Sequence, residues 1–183
     1  MGILVIVIAV ALAAWLVVAF NRLVRLRNQS RTAWADIDVQ LQRRHDLVPQ
    51  LVEAVKGYTA HERATLEAVT TMRAQAQAAQ GAQQQGQAEG QLGQALSRLL
   101  ALQEAYPELK ASENFQQLSS ALMTVEDHLQ FARRFYNGAV RDYNDIIQRF
   151  PDLLVARSLG FQAAEFFQAE AGSQAAPSVD LNA

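Results

Sequence analysis

The chain opens on an unbroken apolar run, Ile3 to Phe20, with no charge in it. As an α-helix this run is about 27 Å long, close to the thickness of a bilayer's hydrocarbon core. A cleaved signal peptide needs a basic segment, a shorter apolar stretch and small residues at the cleavage point. Here only Met1 and Gly2 precede the run, and it ends Val17-Val18-Ala19-Phe20. The pattern therefore predicts an uncleaved transmembrane helix. Lipid attachment is disfavoured, because Ile6 stands where a myristoylation motif requires Ser or Thr. Arg22, Arg25, Arg27 and Arg31 follow the run, and no Lys or Arg comes before it. The positive-inside rule then predicts a short external N-terminus and a cytoplasmic location for residues 21–183.

Beyond the run, apolar positions recur at helical spacing. Phe115, Leu118, Leu122, Val125, Leu129, Ala132, Tyr136, Ala139, Tyr143, Ile146 and Phe150 alternate three and four apart. That is the seam of one long helix, about 112–150, packed at a shallow angle on its neighbours. Ser112 is its expected N-cap and Pro151 its stop. A second seam leads out of the apolar run: Trp34, Ile37, Leu41, Arg44, Val48, Leu51, Val55, Tyr58. Pro49 lies within it, so a kink is expected there. Gly57 offers a break, and Thr59-Ala60-His61-Glu62 has the form of a capping box that restarts a helix carrying Leu66, Val69 and Met72.

Residues 74–94 are rich in Gln and Gly, and Gly81, Gly86 and Gly90 predict a flexible turn near 81–91. A third helix is expected over about 92–105, closed by Tyr106-Pro107. The aromatic stretch after Pro151 is expected to fold back over one end of the bundle. Residues 169–183 read as a disordered tail. The fold class is all-α: an N-terminal transmembrane helix (residues 1–20 with the external N-terminus), then an antiparallel up-and-down bundle of about four long helices over 21–168.

Composition narrows the chemistry. The net charge is −2 and the pI about 5.9, which argues against nucleic acid as a partner. With no Cys, disulfides, thiol catalysis and Cys-ligated metals are excluded. His61-Glu62-Arg63-Ala64-Thr65 begins like a zinc-protease helix but lacks the second His, and no Glu-x-x-His exists. Glu126-Asp127-His128 are adjacent on a helix and point about 100° apart, so they do not converge on one ion. There is no phosphate-binding glycine loop and no nucleophile elbow. The reading is therefore no catalytic residue, no metal and no cofactor.

Two polar clusters remain. One holds Arg43, Arg44, His45 and Asp46; the other Arg133, Arg134, Tyr136 and Asn137. Their seams turn Arg44 and Tyr136 inward. A buried Arg requires a carboxylate or several carbonyls. With Glu126, these nine residues form the candidate structural or partner-binding polar network. The alternative is a ligand-binding groove between helices.

Long motifs in this chain resemble the bacterial LemA family. They are the block Arg31 to Tyr58 (RTAWADIDVQLQRRHDLVPQLVEAVKGY), His61-Glu62-Arg63, Glu104 to Lys110, Asn114-Phe115, Glu126, Ala132 to Asn137, Tyr143-Asn144, Phe150-Pro151, Gly160-Phe161 and Phe166. The resemblance covers residues 1–168 and is loosest in the Gln/Gly stretch and the tail. It implies one N-terminal membrane helix, a cytoplasmic helical bundle and a bacterial inner-membrane location. It brings no established activity, cofactor or catalytic residue. Some relatives are linked to organelle membrane formation, as in magnetosomes, and some to membrane proteases. The expectation is a non-enzymatic membrane-anchored scaffold or adaptor. Its partners are the lipid bilayer and either a second copy or another membrane protein, with no small molecule known. The alternative is a ligand-sensing bundle that regulates a membrane partner such as a protease.

Overall fold

The computed structural model describes residues 1–59 and 62–167; His61 and the tail expected over 169–183 lie outside them. Among the described residues the protein is all-α, with no strand. The first helix, α1 (Gly2–Lys56), carries both the apolar run and the first seam without interruption. Its run is exposed along nearly its whole length and is the one candidate membrane span among the described residues. A helix apolar all round and uncovered by protein is suited to hydrocarbon, not water. The remaining helices are α2 (Arg63–Ala78), α3 (Ala82–Ala101), the short α4 (Pro107–Lys110), α5 (Glu113–Gln148) and α6 (Asp152–Ser158). The chain forms two compact units, Met1–Val39 with Leu129–Phe166, and Gln40–His128 with Phe167.

In the second unit, α2 and α3 form a hairpin joined by residues 79–81, where Gly81 adopts φ +80°. Val48, Leu51 and Val55 of α1 pack with Val69 and Ala76 of α2, Leu92, Leu96 and Leu99 of α3, Leu109 of α4, and Phe115 and Leu122 of α5. This is one core shared by four long helical stretches, as the two seams predict. Truncating a buried leucine there, such as Leu51 or Leu99, removes about 2–5 kcal/mol.

The first unit packs Ala19 and Leu23 of α1 with Tyr143, Ile146 and Ile147 of α5 and Val155 and Ala156 of α6. Gly160 ends α6 at φ +70°, a left-handed conformation that costs an L side chain energy. Phe161 N–H reaches back to the Ala156 carbonyl at 2.9 Å and Gly160 N–H to that of Arg157 at 3.4 Å, the paired bonds of a Schellman cap. The chain then runs extended along α5. Thus the aromatic stretch after Pro151 does fold back, onto α1 and α5.

Three local expectations are corrected. The Gln/Gly stretch is not a long turn: the connection is confined to 79–81, and Gly86, Gly90 and Gly93 lie inside α3, which starts near 82 rather than 92. Of these, Gly93 makes room for the Arg44 guanidinium, as shown below. No capping box forms before α2: the Thr59 hydroxyl donates back to the Val55 carbonyl at 3.0 Å, and Glu62 occupies the N-cap without a side-chain bond. Pro49 lies inside α1, which runs on through it as the unbroken register of the seam implies. Tyr58 and Phe150, placed on the apolar seams, lie outside the cores and are exposed. By contrast, α5 begins where the sequence predicts, with Phe115 N–H 3.5 Å from Ser112 Oγ.

Candidate functional site

The second unit buries a charged cluster within its apolar core. Arg44 projects from the inward face of α1 and is 2% exposed, whereas Glu89 of α3 is fully buried. Arg44 Nη1 donates to Glu89 Oε2 at 2.7 Å and to the Glu89 carbonyl at 3.0 Å. The other carboxylate oxygen, Oε1, lies 2.7 Å from His45 Nε2. An ionised carboxylate only accepts, so His45 carries its proton on Nε2. Glu126 of α5 brings Oε1 within 2.7 Å of Arg44 Nε, but the N–H is not aimed at it, so this is a charge contact and not a directed hydrogen bond.

Burial raises the Glu89 pKa, but the His45 hydrogen bond and the Arg44 charge outweigh it and hold the carboxyl below its ordinary value. Space for the guanidinium comes from α3's glycine. A Cβ on Gly93 would sit 3.1 Å from Arg44 Nη2, so alanine there would crowd the ion pair.

Pro49 completes this corner. Lacking an N–H, it leaves the carbonyl of residue 45 without its helical partner. Arg73 of α2 fills that place: its Nε donates to the His45 carbonyl at 2.8 Å. The proline thus leaves an acceptor that fastens α2 to α1.

The nine residues singled out in the sequence separate into two groups. Arg44, His45 and Glu126 meet around Glu89. Arg43 and Asp46 are exposed, with Asp46 accepting from Gln42 at 2.9 Å. Arg133, Arg134, Tyr136 and Asn137 belong to the first unit, where Tyr136 stacks edge-on against Trp34 at 5.1 Å and donates to the Glu165 carbonyl at 2.8 Å. Arg134 is exposed beside Gln130 and lies 5.7 Å from the Phe131 ring centroid. Sequence reasoning missed Glu89 and Arg73. Glu89 carried a signal: it is the only acidic residue between Glu67 and Glu104, on a seam with Leu92, Leu96 and Leu99.

In the first unit α5 side chains hold the extended segment. Tyr143 donates to the Gln162 carbonyl at 2.8 Å. Asn144 and Ala164 exchange two bonds, Nδ2 to the carbonyl and amide N–H to Oδ1, both 2.9 Å. Burial raises the Tyr143 pKa against the opposing charges of Arg27 and Arg31. A cavity of about 320 Å³ opens here between Arg27, Arg31, Trp34, Tyr136 and Tyr143. No cluster of three or more metal-ligating side chains occurs among the described residues.

The family model described as LemA family matches residues 33–181. The chain is 26% identical to Magnetosome protein MamQ 2 of Paramagnetospirillum magneticum, over 87% of this chain and 68% of that protein. It is 24% identical to Magnetosome protein MamQ of Magnetospirillum gryphiswaldense, over 86% and 68%. It is 27% identical to Protein LemA of Metamycoplasma hominis, over 81% and 68%.

Proposed function

The chain belongs to the LemA family, and from that premise we propose that it is a single-pass membrane scaffold or adaptor without catalytic chemistry of its own. The observation that carries this reading is the continuity of α1. One helix joins an uncovered apolar run to a bundle whose buried charges, Arg44 and Glu89, neutralise each other instead of facing a cleft. Catalytic carboxylates need access to substrate, and Glu89 has none. The four arginines after the run favour an external N-terminus and a cytoplasmic bundle. The names of the magnetosome relatives favour work at a bacterial organelle; the bundle would present its outer faces to a second copy or to another membrane protein.

Affinity purification from native membranes in mild detergent, with mass spectrometry and native mass on one sample, tests this. A stoichiometric partner supports an adaptor, and a large complex of this chain alone supports a self-assembling scaffold. A monomer without partners overturns both. Orientation is tested by introducing a cysteine at exposed Tyr58 of this Cys-free chain. A membrane-impermeant maleimide should label it only after lysis.

One observation favours a second reading, a ligand-sensing bundle: the cavity beside Arg27, Arg31, Trp34 and Tyr136, which combines cations with aromatic walls. A change in Trp34 fluorescence on titration with anionic metabolites, abolished in Arg31→Gln, would support it over a scaffold.

A further inference from the structure

The segment from Phe150 to Phe161 covers part of the apolar run and still exposes its own apolar side chains. Val155 and Ala156 pack on Ala19 and Leu23, with Trp15 against the same cluster. Phe161 meets Phe20 edge-on at 6.3 Å, and Arg27 lies over the Phe161 ring at 4.9 Å. Asp152 is 3.9 Å from Arg22, the first cation after the run. The segment thus docks along α1 from Trp15 to Arg27, straddling the point where apolar sequence gives way to arginine. Trp15 to Phe20 corresponds to about 8 Å along the helix axis. If the run is in hydrocarbon, the docked segment is level with its last turn and with the headgroups beyond.

Its outward side chains match that depth. Phe150 is 74% exposed, Leu154 58% and Leu159 55%, all within ten residues. Arg157 is exposed between them, Arg149 is exposed just before Phe150 and paired with Asp145 at 2.6 Å, and Arg22 and Arg25 lie on the adjoining stretch of α1. Large apolar groups interspersed with cations, on a short segment at the end of a span, fit the acyl–headgroup boundary of an anionic bilayer. The same groups in water would be an unprotected apolar patch.

We infer that the turn and helix at 150–159 form a second membrane contact, with Phe150, Leu154 and Leu159 in the interface and the flanking arginines on lipid phosphates. This rests on the reading of residues 3–20 as a membrane span. The occupant is the bilayer that holds α1, because the segment is fastened to α1 at the end of its apolar run. The contact would fix the azimuth and tilt of the anchored bundle, which a single span leaves free.

The absence of native cysteine makes the test direct. Single cysteines replace Val10, Leu154, Leu159 and, as an exposed apolar control outside the segment, Met123. Each full-length variant carries an environment-sensitive fluorophore and is reconstituted into vesicles of phosphatidylcholine and phosphatidylglycerol. The vesicles contain lipids with a nitroxide either near the glycerol or deep in the acyl chain. Expected is quenching of the 154 and 159 labels by the shallow nitroxide, several-fold stronger than at 123, with the Val10 label quenched by the deep one. Quenching at Val10 with 154 and 159 no different from 123 overturns the inference and leaves the anchor standing. Absence of quenching at Val10 overturns the anchor and the inference with it. Blue-shifted but unquenched labels at 154 and 159 mean that a second protein copy covers the patch, which also overturns the lipid contact.

Discussion

Glu89→Ala leaves Arg44 charged in an apolar core. Arg44 keeps the residue 89 main-chain carbonyl, 3.0 Å from Nη1, and Glu126 at 2.7 Å from Nε, but Glu126 is one-third exposed and not aligned for a hydrogen bond. Removing one partner of a buried ion pair costs about 3–5 kcal/mol. The remaining carbonyl and Glu126 place the expected loss near the lower end, about 3 kcal/mol. Glu89→Gln keeps the volume and one acceptor but loses the charge and the second acceptor, so about 2 kcal/mol is expected. For a unit near 90 residues each kcal/mol lowers Tm by about 4–8 °C, which places Glu89→Ala some 12 °C or more below the parent.

The assay is thermal unfolding of the full chain in mild detergent, followed by circular dichroism. The sign with pH follows from the lowered Glu89 pKa. The unfolded chain binds this proton more readily than the folded one, so the pair's contribution is complete above the ordinary glutamate range and is lost as pH falls through the lower folded value. The gap between parent and Glu89→Gln should therefore close in acid. A Glu89→Ala Tm within about 2 °C of the parent at neutral pH would refute the argument. So would an Arg44→Met/Glu89→Leu double variant as unstable as Glu89→Ala alone, because removing both charges leaves only the Glu126 charge without its partner, and that carboxylate is one-third exposed to water.

Arg73→Ala strips the part-buried His45 carbonyl of its donor and should cost about 1–3 kcal/mol. Pro49→Ala restores the helical N–H, so a double-mutant cycle by thermal melts should show Arg73→Ala costing at least about 1 kcal/mol less in that background. Asn144→Ala deletes both bonds to Ala164, about 2 kcal/mol locally, and limited proteolysis should cleave residues 159–166 faster. Gly160→Ala meets no atom within 4 Å, so its cost is the left-handed backbone alone. About 1 kcal/mol is expected in calorimetry, with Gly160→Asn milder.

The seams at 34–55 and 115–146 were legible because shallow helix packing leaves an uninterrupted three–four spacing, and burial follows it at Ile37, Leu41, Val48, Phe115, Leu122 and Tyr143. Arg44 was legible as an inward cation on such a seam. Its partner was harder to see, because Glu89 sits among glycines and glutamines whose local preference is for turns, and α3 is helical there through the packing of Leu92, Leu96 and Leu99 together with the Arg44–Glu89 pair. The roles of Tyr143 and Asn144 were visible as motif residues but not as clamps, since their partners are main-chain atoms of residues 162 and 164, which have no sequence signature. The contact between Arg73 and the carbonyl freed by Pro49 was hidden for a related reason. The rule for a proline within a helix counts the bond lost, whereas here a side chain 28 residues along supplies its replacement.

Taken with the seams, these exceptions to apolar packing have a common physical effect. A three–four pattern of leucines and valines is nearly periodic, so two helices bearing it can slide by a heptad at modest cost. Arg44 and Glu89 remove that freedom, since any slip strands one charge in hydrocarbon-like surroundings. Gly93 leaves the space the guanidinium occupies at this one level of α3. Pro49 and Arg73 add a third constraint, between α1 and α2, which a pair of apolar faces does not supply. Replacing the ion pair by leucines would keep the core and lose the register. On the scaffold reading that is the expected priority, because a chain that acts through the surface it presents depends on one fixed arrangement of its helices more than on maximal stability.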